Sequence, residues 1–358
     1  MTLAKIDADL PPLYDATRAD LAILEMVKRR KAQGILPLRW GVPYLDNTAH
    51  PLYPAWSYLI CGRPGSMKST FMSYLVTRWA RALAQENAGR DLKRFILVVK
   101  PEESIEVARI QTWESNPHSL PDIVGGKPSP KDIGEVVGRQ TDTPIVYMGD
   151  SESDMYTPKP KKDSPLVVKF STRDIQRACM AIKNGLFHDG PCDIAVIAID
   201  GLNLILDERR SNDQVEAMSR VPEELTGIAR SFLCPLVATT QAIQKGVYNK
   251  ADSIPHMDDV MWNSTASQYF WAFFGIERPV KRPGAEIWRD TINGGEGDKE
   301  TYYDEDNRKY EVPVTTNLVS LLADKFRGTR NCESRKIALW AKNDGGFTQE
   351  HLPKYVVS

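Results

Sequence analysis

Residues 62–70, GRPGSMKST, come within one residue of a glycine-rich phosphate loop, G-x-x-x-x-G-K-[ST]. Gly62, Lys68 and Ser69 fall on the pattern, and Met67 stands where its second glycine belongs. Such a loop needs glycines so that backbone N–H groups can face an anion, a lysine for its charge, and a hydroxyl for a magnesium ion. In that chemistry Lys68 reaches the β- and γ-phosphates and Ser69 ligates Mg2+. Thr70 sits at the helix start near the α-phosphate, and Gly62 and Gly65 keep the turn open. Met67 matters if its backbone must take a positive φ or if its Cβ meets the nucleotide.

Three further residues could serve the same chemistry. AVIAIDG (195–201) is an apolar run ending in an acid, which puts Asp200 at the tip of a buried strand where it can hold a magnesium ion's water shell. In VVKPEESIEVARI (98–110), Glu102 or Glu103 could polarise a water attacking a terminal phosphate, or both could simply complement the dipole of the helix that follows. Gln241 closes CPLVATTQ (234–241) and could sense the γ-phosphate, or be an ordinary polar residue at a strand end.

These residues need a frame that brings strand tips together. SYLICG (57–62), RFILVV (94–99), PIVYMG (144–149), CDIAVIAID (192–200) and CPLVATTQ read as short buried strands. Helical patterns follow the first of them and recur at 103–113, 172–186 and 213–231. Buried strands alternating with helices predict an α/β domain, a mostly parallel central sheet flanked by helices. The segments 114–140 and 150–170 are turn-rich, with PKPKKDSP (158–165) the clearest exposed loop. Residues 278–316 suit an exposed hairpin or excursion with a Gly-Gly turn, after which LVSLLADKF and KIALWAK could extend the sheet.

Ahead of the sheet, residues 1–12 read as an arm, and YDATRADLAILEMVKRRKAQG as an amphipathic helix. Leu21, Ile23, Leu24 and Val27 form its apolar face, which either packs on its own domain or docks on a neighbouring subunit. The expected division is therefore 1–40, arm and helix, and 41–358, the nucleotide-binding domain with the 278–316 excursion.

The bulk numbers narrow the field. With 46 basic against 47 acidic residues the 358-residue chain is no polycation, so any nucleic-acid contact must come from a local patch or from assembly. Its 5 cysteines form no C-x-x-C pair and its 5 histidines are dispersed, against a disulfide framework or a zinc site. No apolar run is long enough to span a membrane, and MTLAKIDADLPP lacks a signal peptide's core, so a soluble cytoplasmic protein is expected.

In this order the pieces resemble the ATPase domain of DnaB-type hexameric replicative helicases and the related phage ring helicases, within the RecA-like P-loop NTPase fold. The likeness runs through WGVPYLDN, GRPGSMKSTF, EESIEVAR and AVIAIDGLNLIL, then NDQVEAMSRVPEELTGIARSFLCPLVATTQ, IPHMDDVMWNSTASQYF and ADKFRGTRN. It covers about residues 41–345, outside the 278–316 excursion and parts of 114–170. The segment ending at Gln241 is its most specific part, and EESIEVAR is most similar to the phage branch.

The resemblance implies ATP and Mg2+ at the loop, with Lys68, Ser69, Thr70 and Asp200 in the roles above, Glu102 as the catalytic glutamate and Gln241 as the sensor. Lys325 and Arg327 match the basic pair that reaches a neighbour's γ-phosphate, which implies a homo-oligomeric ring, most often of six. Single-stranded DNA would pass through the ring along loops near 202–212 and 245–264. Arg209, Arg210, Lys245 and Lys250 would supply charge there, and Asn263 and Ser264 hydrogen bonds. A primase or helicase loader is the implied partner, and bacterial or phage-infected cytosol the implied compartment. The sequence departs from the family at Met67 and at KPEES, and it does not contain the family's N-terminal helical domain; residues 14–34 would be its linker helix. The nucleotide features are shared by a remodelling or loading ATPase without unwinding, and by a nucleotide-gated ring with weak turnover.

Overall fold

A computed structural model describes residues 37–48, 51–113, 118, 120–140, 143–150, 170–209, 214–242, 254–260, 266–281, 289–291, 294–303, 308–326, 335–342 and 346–348, together with isolated helical residues between 16 and 28. The chain divides into two compact units, Met1–Pro37 and Leu38–Ser358. In the first, Ala16, Asp20, Leu21, Leu24, Glu25 and Lys28 are helical, and Lys28 pairs with Glu25 one turn away at 3.3 Å. Leu21 and Leu24 of the expected apolar face are exposed.

The second unit is built on a nine-stranded sheet. Six strands are parallel: β1 (Ser57–Gly62), β2 (Lys93–Ser104), β3 (Ile145–Asp150), β4 (Cys192–Asp200), β5 (Leu236–Gln241) and β6 (Ala272–Glu277). Their order across the sheet is β6-β1-β5-β4-β2-β3. Beyond β6 the sheet turns antiparallel through β11 (Leu318–Phe326), β12 (Arg335–Ala341) and β13 (Phe347–Thr348). β11 and β12 are the two late apolar runs, and they extend the sheet as expected.

Both faces of the parallel part are covered, which is why its strands read as continuous apolar runs. Successive side chains alternate between the faces. Tyr58, Ile60, Ile96, Val98 and Ala198 join Leu75, Val76 and Trp79 of helix α2 (Lys68–Asn87) in one buried cluster. Leu59, Leu97, Val99, Ile197 and Ile199 join Ile175 and Cys179 of α6 (Thr172–Lys183) and Leu225 of α7 (Gln214–Phe232) in the other. The WGVPYLDN segment packs into the first of these clusters, against the central strands β1 and β6. Trp40 is fully buried edge-on to Tyr58 and Phe274, and Asp46 of α1 (Pro43–Thr48) accepts from the backbone N–H of Trp40 and Gly41 at 2.6 and 3.0 Å.

Two stretches differ from the sequence reading. The turn-rich 114–140 contains short helices, α4 (Leu120–Val124) and α5 (Pro130–Arg139), besides α3 (Ile105–Gln111) before it. Their signal was Ser129-Pro130-Lys131-Asp132: the serine accepts from the Asp132 N–H, the aspartate side chain returns the bond, and proline occupies the first turn. The 278–316 excursion is not simply exposed. It forms β7 (Arg289–Thr291) with β8 (Gly294–Glu296), then the hairpin β9 (Lys299–Tyr303) and β10 (Lys309–Pro313). Tyr302, Tyr310 and Val312 pack with Leu318 and Ala338 of the main sheet, and the Tyr302 hydroxyl lies 2.7 Å from Ser320 Oγ. The Gly-Gly pair opens β8 instead of forming the turn.

Candidate nucleotide site

The C-terminal tips of β1, β2, β4 and β5 converge at the start of α2. Gly62 ends β1 opposite Gln241 of β5, and Ala242 N donates to Gly62 O at 3.2 Å. A side chain at Gly62 would meet Ser66 Oγ and the Ile276 backbone below 3 Å, so the loop folds over a position only glycine fits. Gly65 has a φ of 75° and Met67 a φ of 70° with ψ of 25°. The backbone at position 67 is therefore left-handed, the state for which glycine is usually required.

A non-glycine residue in that conformation costs about 1–2 kcal/mol. Met67 offsets part of this by packing its flexible side chain against the cluster of Phe71 and Leu75. Met67→Gly trades strain relief against lost packing and a more mobile unfolded chain. Its expected stability change is within about 1 kcal/mol, with undiminished binding of a fluorescent ATP analogue. Met67→Val puts a β-branched side chain at positive φ, and is expected to lower the thermal midpoint and weaken binding of the analogue.

Lys68 is half-buried and donates to Arg63 O at 2.9 Å, folded over the loop. Burial pushes its ammonium below the usual lysine range, against the opposing charges of Asp200 and Glu102. Asp200 is buried at the tip of β4, where Thr239 donates to Oδ1 at 2.6 Å and Lys100 to Oδ2 at 2.6 Å; Ser69 also hydrogen-bonds this carboxylate. Burial alone would raise its pKa, but the Lys100 charge and the bonds from Lys100, Thr239 and Ser69 hold it below the ordinary range.

The two glutamates separate clearly. β2 pairs with β3 up to Lys100↔Gly149 and resumes at Ser104↔Asp150, so 101–103 lie in a break in the ladder. Pro101, lacking an N–H, suits that break. Glu103 turns to Lys100 at 3.1 Å and Gln111 at 3.2 Å. Glu102 is exposed beside Gly201, whose own φ of 110° would strain any other residue. Desolvation by the surrounding protein, then the charge of Asp200, hold Glu102 above the usual glutamate range despite Lys68.

The donor set suits Mg2+ and a polyphosphate. Ser69 and Asp200 present hard oxygens in hydrogen-bond contact, and Ser66 Oγ is buried in the loop with no hydrogen-bond partner. Among the described residues no group of three or more His, Cys, Asp and Glu could hold a metal ion.

At the level of the whole fold, the chain is similar to a DnaB-like replicative helicase whose structure was solved to show its interactions with primase. The TM-score is 0.63 at 14% identity, covering 93% of this chain and 68% of that one. A second solved structure, itself an isolated ATPase domain, is similar to the same degree, with a TM-score of 0.62 at 15% identity over 94% of this chain and 99% of that one. The fold is that of a DnaB-type RecA-like ATPase domain. No protein-family model and no curated protein matches the sequence.

The RecA-like sheet brings Gly62, Gly65, Lys68, Ser69, Thr70, Glu102, Asp200 and Gln241 to one end. It does not bring Lys325 there. Lys325 pairs with Phe273, which pairs with Leu59, so its backbone lies three residues, roughly 10 Å, toward the opposite end from Gly62. Arg327, Arg210, Lys245, Lys250, Asn263 and Ser264 lie outside the described residues. Arg209 is exposed at the end of a segment whose preceding residues are pinned: Asp207 pairs with Arg220 at 3.3 Å, and Leu206 exchanges backbone bonds with 170–172. In the second expected loop, residues 254–260 are anchored, with Ile254 and Val260 buried and Asp324 joining His256 Nδ1 at 3.2 Å and Met257 N at 2.9 Å.

Sequence reasoning missed Lys100, Thr239 and Gln111. The signal for Lys100 was present: a lysine closing the apolar run FILVV, at a strand tip where an unpaired charge is not buried. Among the described residues no helix is long and apolar enough to cross a membrane.

Proposed function

We propose that the chain is an ATP hydrolase of the ring-helicase type, working at subunit interfaces and moving on single-stranded DNA in replication. The observation that supports this most is the meeting of Lys68, Ser69, Asp200 and Glu102 over a loop whose backbone is left-handed at 65 and 67. Mg2+, held by Ser69 and through water by Asp200, would neutralise charge on the phosphate oxygens. Lys68 binds and orients the terminal phosphates. Glu102 takes a proton from the water that attacks the γ-phosphorus; the bond to the bridging oxygen breaks, leaving ADP and phosphate.

Lys325 sits away from this chain's own loop, which favours its use, with Arg327, at a neighbour's nucleotide. A homo-hexameric ring follows from that reading, with Gln241 linking nucleotide state to DNA-facing loops bearing Arg209, Arg210, Lys245, Lys250, Asn263 and Ser264. A primase or loader, in bacterial or phage-infected cytosol, is the expected partner, and residues 14–34 the helix joining subunits.

The test is ATP hydrolysis, with and without single-stranded DNA, by wild type, Lys68→Ala, Arg327→Ala and a mixture of the two variants. The expected result is DNA-stimulated turnover in wild type, loss in each variant, and partial recovery on mixing, because intact half-sites then meet. A monomer in the presence of ATP and DNA, or equal loss in the mixture, sinks the shared-site reading.

A further inference from the structure

Lys100 has no part in the phosphate loop, yet its ammonium lies at the centre of the site. Its side chain is 3% exposed and contacts Asp200 Oδ2 at 2.6 Å, Glu103 Oε2 at 3.1 Å and Gln111 Oε1 at 3.4 Å. An ammonium has three donors, and all three have acceptors here. Gln111 is itself fixed, accepting from Ser73 Oγ at 3.1 Å and donating to Glu103 Oε1 at 3.2 Å, so α2, α3 and β2 are joined through this amide and the cation beside it.

A carboxylate buried at a strand tip needs a counter-charge. In a magnesium-dependent site the metal supplies it, and here the chain brings its own. Thr239 takes Asp200 Oδ1, which leaves Oδ2 for the ammonium or for a water of the metal. The ammonium can release Oδ2 without being stranded, because Glu103 and Gln111, close to it in sequence, hold its other protons.

Resting on the nucleotide reading above, we propose that Lys100 is a positioning residue that stands in for the metal ion. It holds Asp200 and Glu103 in place before Mg2+ arrives, and by competing for Asp200 it sets the Mg2+ concentration at which the nucleotide complex forms. When the metal binds, the ammonium withdraws onto Glu103 and Gln111, so metal loading is read out directly on α3. Glu102, one residue away and outside this hydrogen-bonded set, is left to act on water.

The test is binding of a fluorescent ATP analogue to the intact chain, titrated with Mg2+ at fixed analogue. Lys100→Met is expected to shift the Mg2+ midpoint about tenfold lower, the effect of removing a competing unit charge, and to weaken binding without Mg2+. Lys100→Arg keeps a cation and is expected to retain the wild-type midpoint. Where Lys100→Met leaves two carboxylates short of a partner and does not fold, Lys100→Met with Glu103→Gln restores the charge balance and should show the same lowered midpoint. A merely structural lysine would change the melting temperature and leave the midpoint alone. An unchanged or raised midpoint in the variant that folds overturns the proposal while the nucleotide reading stands. A wild type that binds no analogue at any Mg2+ concentration overturns both.

Discussion

Glu102→Gln is expected to bind the fluorescent ATP analogue with near wild-type affinity and to hydrolyse ATP about a thousandfold more slowly. Glutamine keeps the size of the side chain and removes the one property a base needs. Glu102 suits that role because it stands in the break of the β2 ladder, exposed, and held above the usual carboxylate range by desolvation and the charge of Asp200. A carboxylate whose pKa is raised is a better proton acceptor than an ordinary one. Glu103→Gln is the control. That carboxylate is already committed to Lys100 and Gln111, so its loss loosens the site and is expected to slow turnover by less than about tenfold. Single-turnover measurement with the two variants side by side decides the matter. A slow Glu103→Gln beside a normal Glu102→Gln would reverse the assignment.

The largest effect on stability is expected from Gly275→Ala, about 3 kcal/mol destabilising. Gly275 lies in the middle of β6, paired with Cys61 on one side and Leu322 on the other. The chain crosses it so closely that an added Cβ would overlap Pro255 O. That contact is to backbone, and the neighbours on both sides are strands of the central sheet, so neither partner can yield cheaply. The displaced segment is the one that carries His256 and Met257 to Asp324. The variant should therefore melt lower and also lose protection from hydrogen exchange at Met257, whose N–H is held by that carboxylate. A thermal midpoint equal to that of wild type would show that the crossing relaxes without cost.

The parallel half of the fold was legible because its strands are buried on both faces. FILVV and AVIAI have no alternative to the middle of a sheet, and the acid after the second had to lie at a tip. The antiparallel extension was legible for the same reason. Helix α5 was less so, because it is exposed along most of its length, with Val136 its buried residue, and its start is marked by one serine and one aspartate instead of an apolar stripe. The hairpin at 299–313 read as exposed because its tyrosines are polar at one end; what hides them is contact with strands that follow them in sequence. In the site itself, loop, Asp200 and Gln241 were readable from strand tips. Choosing between the two adjacent glutamates was not, since it depends on which one Lys100 and Gln111 occupy, contacts set by the fold of β2 back onto α3. Nor could sequence say whether position 67 is left-handed; it is, and a methionine bears it.

The placement of Lys325 has a consequence for symmetry. On the proposed reading a complete site takes its phosphate loop from one end of a sheet and Lys325 from a strand position nearer the other end of the next sheet. Those are two different patches of surface, and in the proposed ring the contact between them is heterologous: joining two copies leaves one loop and one Lys325 still unmatched. Copies continue to add until the rotation between neighbours brings the last back to the first, and a change of a few degrees in that rotation separates a closed ring from an open spiral.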